Sequence, residues 1–284
     1  MKGFFTEGPI CTEEYFFGRA EETERILGLL RRDQSVSIVG PRGIGKSSLL
    51  HHISKPAVFE AHHLTRTRHR FVHIDCCDLT DLDASRVRAE IVQQAKQKIP
   101  EVEFPLPSGP AEHFRRFFWQ VERAGLCCVI MLDHFEFFIE SHRLDQDCLA
   151  GLRAINAMYH VFYVVASTES LSTLEGRWLS QRDQTSPFFN IFYRQNLGPF
   201  SQDESHAFLQ QRFESARLSV PSPAVDLVLR WSQGHPYYLQ SAGAFIVNLL
   251  NDRQGEWNEH LMQQLQDYLA NFPQAERHLR KESL

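Results

Sequence analysis

The chain has 284 residues, enough for one large domain or a core domain with a smaller one joined to it. With 43% hydrophobic and 23% charged residues it has the make-up of an ordinary soluble globular protein. A net charge of −5 and a pI near 6.3 argue against a general affinity for nucleic acid or for an anionic membrane.

Residues 1–15 read as an extended lead-in that carries acids and lacks a long apolar core, which excludes a signal peptide. No apolar run anywhere approaches the roughly 20 residues that a membrane span needs. Arg19 to Arg32 suits an amphipathic helix, with Ile26, Leu27, Leu29 and Leu30 beneath a charged face. Its acids come early and its arginines late, as the helix dipole favours. Ser35 to Leu50 (SVSIVGPRGIGKSSLL) begins as a β-branched strand and breaks into glycines, a lysine, two serines and a leucine pair. The spacing Gly40-x-x-x-x-Gly45-Lys46-Ser47 is the Walker A pattern. In such a loop, Gly40, Pro41, Arg42, Gly43, Ile44, Gly45, Lys46, Ser47 and Ser48 turn backbone N–H groups onto phosphates at a helix N-terminus. Lys46 would reach the β- and γ-phosphates of a nucleotide, and the Ser47 hydroxyl would ligate Mg²⁺.

His51 and His52 fall on the helix after this loop, where neighbours diverge by about 100°, so one metal ion cannot easily use both. The basic stretch His62 to Arg70 reads as a solvated loop in preference to a nucleic-acid contact. Arg70 to Cys76 is a second strand ending in an acidic turn, Asp75 to Asp83. A helix over Ala84 to Lys98 follows, then a proline-rich break. A further helix, Ala111 to Arg123, buries Phe114, Phe117, Phe118 and Val121. Leu126 to Asp133 (LCCVIMLD) has the length and continuity of a fully buried parallel strand. Asp147 to Tyr159 is helical, Val161 to Ser167 is a fourth strand, Leu171 to Asn190 is helix and loop, and Ile191 to Leu197 is a fifth strand. Ser201 and Glu204 form a capping box, after which three or four helices run to about Asn271. The cysteine pairs Cys76-Cys77 and Cys127-Cys128 sit in strand-like runs, where neighbours face opposite ways. They read as buried reduced thiols of a cytoplasmic protein, with no zinc site.

Strands alternating with helices, then an all-helical tail, indicate an α/β P-loop fold: a parallel sheet with helices on both faces and a small helical domain appended at the C-terminal end. The expected division is a lead-in over 1–15, a P-loop core over 16–198 and a lid over 199–284. A carboxylate must hold Mg²⁺ through its waters, and Asp133 at the end of the most apolar strand is the candidate. The next position, where a water-activating base is common, holds His134, and Glu136 stands two further on. If the strand persists, Glu136 shares a face with His134; if the chain turns into a loop, either side chain can reach the attacking water.

Taken together, the motifs resemble those of the AAA+-like branch of the STAND ATPases, related to the origin-recognition ATPases. Phe16-Phe17-Gly18-Arg19 with Glu21-Glu22 is similar to the entry motif that lies against adenine. The P-loop matches closely, and Leu132-Asp133-His134-Phe135-Glu136 resembles Walker B with histidine in place of the usual glutamate. Ser167-Thr168 ends the strand that supplies sensor 1, and Gly234-His235-Pro236 resembles the GxP motif of the lid. The resemblance implies a 5-1-4-3-2 strand order, a hinged lid, ATP rather than GTP, and nucleotide contacts from Gly18, Arg19, His235 and Pro236. It assigns catalytic roles to Lys46, Asp133, Glu136 and Thr168, and leaves Arg177 or Arg182 as candidates for an arginine finger.

The expected function is a molecular switch that binds ATP and Mg²⁺, hydrolyses ATP slowly because of His134, and controls lid position and assembly into homo-oligomers. The chain ends about 50 residues after the GxP turn without sensor repeats or an effector, so a partner protein is expected to supply them. A DNA-associated loader and a non-hydrolysing nucleotide-binding scaffold are the alternatives. No membrane partner is expected, and nucleic acid is disfavoured.

Overall fold

The structure, a computed structural model, describes residue 4 and residues 8–102, 110–141, 146–181, 187–251 and 257–272. Five strands form one parallel sheet: β1 (Ser35–Val39), β2 (His69–Asp75), β3 (Cys127–Asp133), β4 (Val161–Ser167) and β5 (Phe192–Asn196). Their order is β2-β3-β4-β1-β5, which is the 5-1-4-3-2 order read from the other edge. β1, β3 and β4 are buried along their whole length, as central strands covered on both faces must be. The apolar runs of β3 and β4 are therefore continuous rather than alternating, and in β1 the small Ser35 and Ser37 are buried beside Val36, Ile38 and Val39. The register sets Asp75 opposite Asp133 and Val39 opposite Ser167, so the strands' carboxyl ends lie side by side.

The helices are α1 (Ala20–Leu30), α2 (Lys46–Ile53), α3 (Pro56–Ala61), α4 (Ala84–Lys98), α5 (Pro110–Arg123), α6 (Phe135–Glu140), α7 (Gln146–Met158), α8 (Leu171–Gln181), α9 (Gln202–Ser215), α10 (Ser222–Ser232), α11 (Pro236–Asn251) and α12 (Glu259–Ala270). The chain divides into two compact units. One holds Ala20–Gly40 and Leu49–Asn196; the other holds Met1–Arg19, Pro41–Ser48 and Leu197–Leu284.

In the sheet unit, one face of β2, β3 and β4 packs Ile74, Ile130, Leu132, Tyr163 and Val165 against α4, α5 and α7. The expected aromatic stripe of α5, Phe114, Phe117, Phe118 and Val121, is buried there. In the helical unit, α9 to α12 pack around Leu209, Val228, Leu239, Ile246 and Leu265. The capping box at the start of α9 is present: Ser201 Oγ accepts from Glu204 N at 3.1 Å, and Glu204 Oε2 accepts from Ser201 N at 2.8 Å. Phe4 packs edge-on against Phe208 in the same core.

Three local expectations are corrected. β2 stops at Asp75, because the Asp75 carboxylate accepts the Cys77 amide at 2.9 Å and starts a 3₁₀ turn over Cys76–Leu79. Cys76 and Cys77 are consequently outside any strand, and Cys77, like Cys11, is exposed rather than buried. The chain after β3 is neither continued strand nor loop but the short helix α6. Proline 105, proline 107 and Arg182 lie outside the described residues, as does the chain after Phe272.

Candidate functional site

In the helical unit the P-loop runs from Pro41 into the first residues of α2. Gly43 and Gly45 adopt φ of +75° and +100°, left-handed values that a side chain disfavours, so the loop can curl tightly there. Ile44 N bonds back to Pro41 O at 3.4 Å; among the described residues no backbone acceptor meets the amides of Arg42, Gly43 and Gly45. Lys46 is buried and its Nζ donates to Pro41 O at 3.1 Å, folding the ammonium back over the loop. Loop amides without a backbone acceptor among the described residues, beside a buried cation at a helix N-terminus, fit a polyphosphate.

The flanks of this loop belong to distant parts of the sequence. Ile10 N donates to Ser48 Oγ at 3.0 Å. The buried Arg19 guanidinium donates to Ile44 O at 3.2 Å and Gly198 O at 2.7 Å, and lies 4.6 Å over the Phe200 ring. Gly18, at φ +66°, lets the chain pass close to Phe200: a Cβ there would stand 3.2 Å from its ring. His235, in the turn before α11, donates from Nε2 to Arg42 O at 3.1 Å, and its ring is buried. Burial, together with the positive charges of Arg19 and Lys46, pushes its pKa down to about 4 despite that hydrogen bond, so the ring is neutral at physiological pH. A Cβ on Gly43 would meet His235 and Tyr237 at 3.1 and 3.0 Å, so the loop and the start of α11 are in van der Waals contact.

In the sheet unit, Asp133 closes β3 and is buried, with Oδ1 accepting from His134 N at 2.9 Å. His73 Nε2 stands 3.8 Å from Asp133 Oδ2, and its ring stacks on His51 at 4.6 Å. Burial and the neighbouring His51 hold His73 below the usual imidazole range against the pull of Asp133. A buried carboxylate at the carboxyl end of a strand suits a divalent cation. His134 takes a left-handed backbone (φ +51°, ψ +44°) that ends the strand, and its Nδ1 lies 3.1 Å from Asp75 Oδ1. Glu136 falls in the first turn of α6, buried, and its Oε2 has no hydrogen-bond partner among the described residues.

At the end of β4, Ser167 Oγ donates to Glu169 O at 2.7 Å and Ser167 O accepts from Gly40 N at 3.2 Å; Thr168 is half-buried beside it. Arg177 pairs with both Glu140 and Glu169. Sequence reasoning missed Asp75 and His73. β2–β3 pairing brings both to the end of β3, and nothing local to either residue signals that partner.

A family model described as the AAA ATPase domain matches residues 15–164, more than half of the chain. The chain belongs to the AAA ATPase domain family. No curated protein matches it significantly. Among solved structures, it is similar to the Walker-type ATPase PABY2304 of Pyrococcus abyssi, with 21% identity over 97% of this chain and 79% of that one, at a TM-score of 0.65. It is similar to the ORC2 protein of Aeropyrum pernix in ADPNP-ADP complexes, with 14% identity over 97% and 75% of the two chains and a TM-score of 0.70. The Aeropyrum pernix ORC1 protein in complex with DNA matches at 16% identity over 89% and 67%, with a TM-score of 0.62. At these identities the likenesses show the fold, an AAA+-type P-loop ATPase fold. The AAA ATPase domain is accordingly a nucleotide-binding one, and among the described residues no helix is long and apolar enough to cross a membrane.

Proposed function

We propose that this AAA ATPase domain is an ATP- and Mg²⁺-dependent switch of the STAND type, whose nucleotide state sets the position of the helical lid and the assembly of copies, in signalling or defence. The observation that supports this most is the shared unit of P-loop and lid helices. His235 holds Arg42, Tyr237 touches Gly43, and Arg19 holds Ile44. Phosphate contacts that shift the loop by a fraction of an ångström would be felt at the start of α11. A ligand changes a conformational equilibrium only through such differential contacts.

Lys46 and the loop amides would hold the β- and γ-phosphates, while Ser47 and Asp133 would hold Mg²⁺ directly or through its waters. The bound cation offsets charge on the phosphates. Glu136, with a carboxylate oxygen left without a partner among the described residues, would orient the water. That water attacks the γ-phosphorus in line as the bond to the β–γ bridging oxygen breaks, giving ADP and phosphate. Thr168 would contact the γ-phosphate, since the Ser167 hydroxyl is spent on Glu169 O. Gly18, Arg19, His235 and Pro236 would line the nucleotide from the lid side. With His134 in the customary glutamate position, turnover is slow, and a partner protein supplies the sensor or effector. Arg177, already paired with two glutamates, is a poor arginine finger.

A second reading, a DNA-associated loader, draws on the likeness to the ORC1 protein solved with DNA. The acidic net charge weighs against it.

The test is ATP turnover with Mg²⁺ by the wild type, Lys46→Ala and Glu136→Gln, with ATP affinity and particle mass measured alongside. Lys46→Ala should weaken ATP by about 10- to 100-fold, the worth of a charged hydrogen bond of about 1.5–3 kcal/mol. Glu136→Gln should bind ATP normally and lose turnover. Tight binding by a wild type that neither turns over nor assembles would refute the switch and leave the scaffold reading.

A further inference from the structure

We infer that Asp75, Cys77 and His134 form a binding site for a borderline-soft divalent transition-metal cation, Zn²⁺ above all. Its donors differ from those assigned to Mg²⁺. Three turns of backbone build the cluster. β2 ends at Asp75, paired across the sheet with Asp133 at the end of β3. The 3₁₀ turn over Cys76–Leu79 brings Cys77 back over the Asp75 carboxylate. The left-handed backbone of His134 swings its ring to the same carboxylate from the β3 side. One donor atom from each residue, a carboxylate oxygen, a thiol sulfur and an imidazole nitrogen, lies within 4.8 Å of the other two.

The donor chemistry selects the ion. Mg²⁺ and Ca²⁺ favour all-oxygen shells, whereas mixed sulfur, nitrogen and oxygen donors suit Zn²⁺. Zinc bonds of about 2.0–2.3 Å in a tetrahedron put neighbouring ligand atoms roughly 3.4–3.8 Å apart, so the cluster closes on an ion by rotamer adjustments of about an ångström. Such adjustments are open to these side chains: Cys77 is exposed, and the His134 and Asp75 side chains are 40% and 39% accessible. Part of the outer shell is already present, because Asp75 Oδ1 accepts from Cys77 N at 2.9 Å, which orients the carboxylate. Three protein donors leave a fourth position for water, as in open zinc sites. An ion held there would occupy Nδ1 of His134 and immobilise the residue directly after Asp133. Availability of a trace metal would thereby act on the carboxyl end of β3.

The test is titration of the reduced full chain with Co²⁺ in excess Mg²⁺ and without nucleotide, following thiolate-to-cobalt charge-transfer absorption, then displacement by Zn²⁺. The outcome is therefore independent of whether the ATPase reading holds. One equivalent of Co²⁺ should give the band in the wild type and in Cys11→Ser, which removes the other exposed cysteine. Cys77→Ser should lose it with an unchanged circular dichroism spectrum. His134→Asn should weaken binding by at least about tenfold, the amount that even outer-shell partners contribute. Asp75→Asn, which keeps an acceptor for the Cys77 amide, is the second variant should Cys77→Ser misfold, and it should also weaken binding. No thiolate band in the wild type, or a band that persists in folded Cys77→Ser, overturns the proposal.

Discussion

At the scale of single residues, His235 shows how a short motif acquires a physical role. Its Nε2–H is committed to Arg42 O, and Nδ1 is buried with no partner among the described residues, so a second proton on the ring has nowhere favourable to go. The folded pKa of about 4 lies below the ordinary 6.5, so the unfolded chain takes up the proton first as pH falls. Stability is therefore complete above about pH 6.5 and is lost as pH drops toward 4, by roughly 3 kcal/mol at about 1.4 kcal/mol per unit. Chemical denaturation of the wild type and His235→Gln at pH 7.5 and 4.5 checks this: the variant should lose most of that decline. Position 235 was legible from Gly234-His235-Pro236, but its acceptor on Arg42 was not, because 193 residues separate the two.

Among elements, the turn into α11 leaves no room for a side chain. Gly234 has φ +78°, and a Cβ there would sit 2.2 Å from Phe200 O, the residue whose amide bonds Gly234 O at 2.9 Å. Gly234→Ala must both strain a left-handed residue and separate two backbones. It should cost about 2–4 kcal/mol in urea unfolding, whereas Gly28→Ala, inside α1 with open space around its Cβ, should be neutral or stabilising. The strands were read within one or two residues. β3 and β4 are fully buried and so stand out as continuous apolar runs, whereas the edge strands β2 and β5 are only partly buried and are marked by their β-branched and aromatic residues. The helices α3 and α6 were not read: six residues each is too short for a period of 3.6 to declare itself. Nor does Asp133-His134-Phe135-Glu136 reveal a left-handed residue. Tertiary packing of Phe135 and Phe138 into the sheet's core decides that turn.

For the whole molecule, nucleotide should act as a stabiliser by mass action. At a hundredfold excess over Kd, ATP with Mg²⁺ adds about 2.7 kcal/mol to the stability of a two-state binder. A thermal shift measured with and without ATP should register that gain in the wild type and, at the same ATP concentration, only about 0.4–1.4 kcal/mol of it in Lys46→Ala. Persistence of the full shift in the variant would count against Lys46 as the phosphate ligand. Light scattering in the same series should show larger particles with ATP than with ADP if nucleotide drives assembly.

What the amino-acid order determined by itself was the α/β class, the five strands and the P-loop, because each is written in local periodicity and in residues whose backbone chemistry has few substitutes. Even the strand order followed once the ordered motifs were compared with a family. The tertiary structure alone decided which distant groups meet: Asp75 with His134, His73 with Asp133, Arg19 with Gly198, His235 with Arg42. Those pairings arise from strand register and helix packing. They depend on contacts summed over whole elements, which no single stretch of sequence encodes.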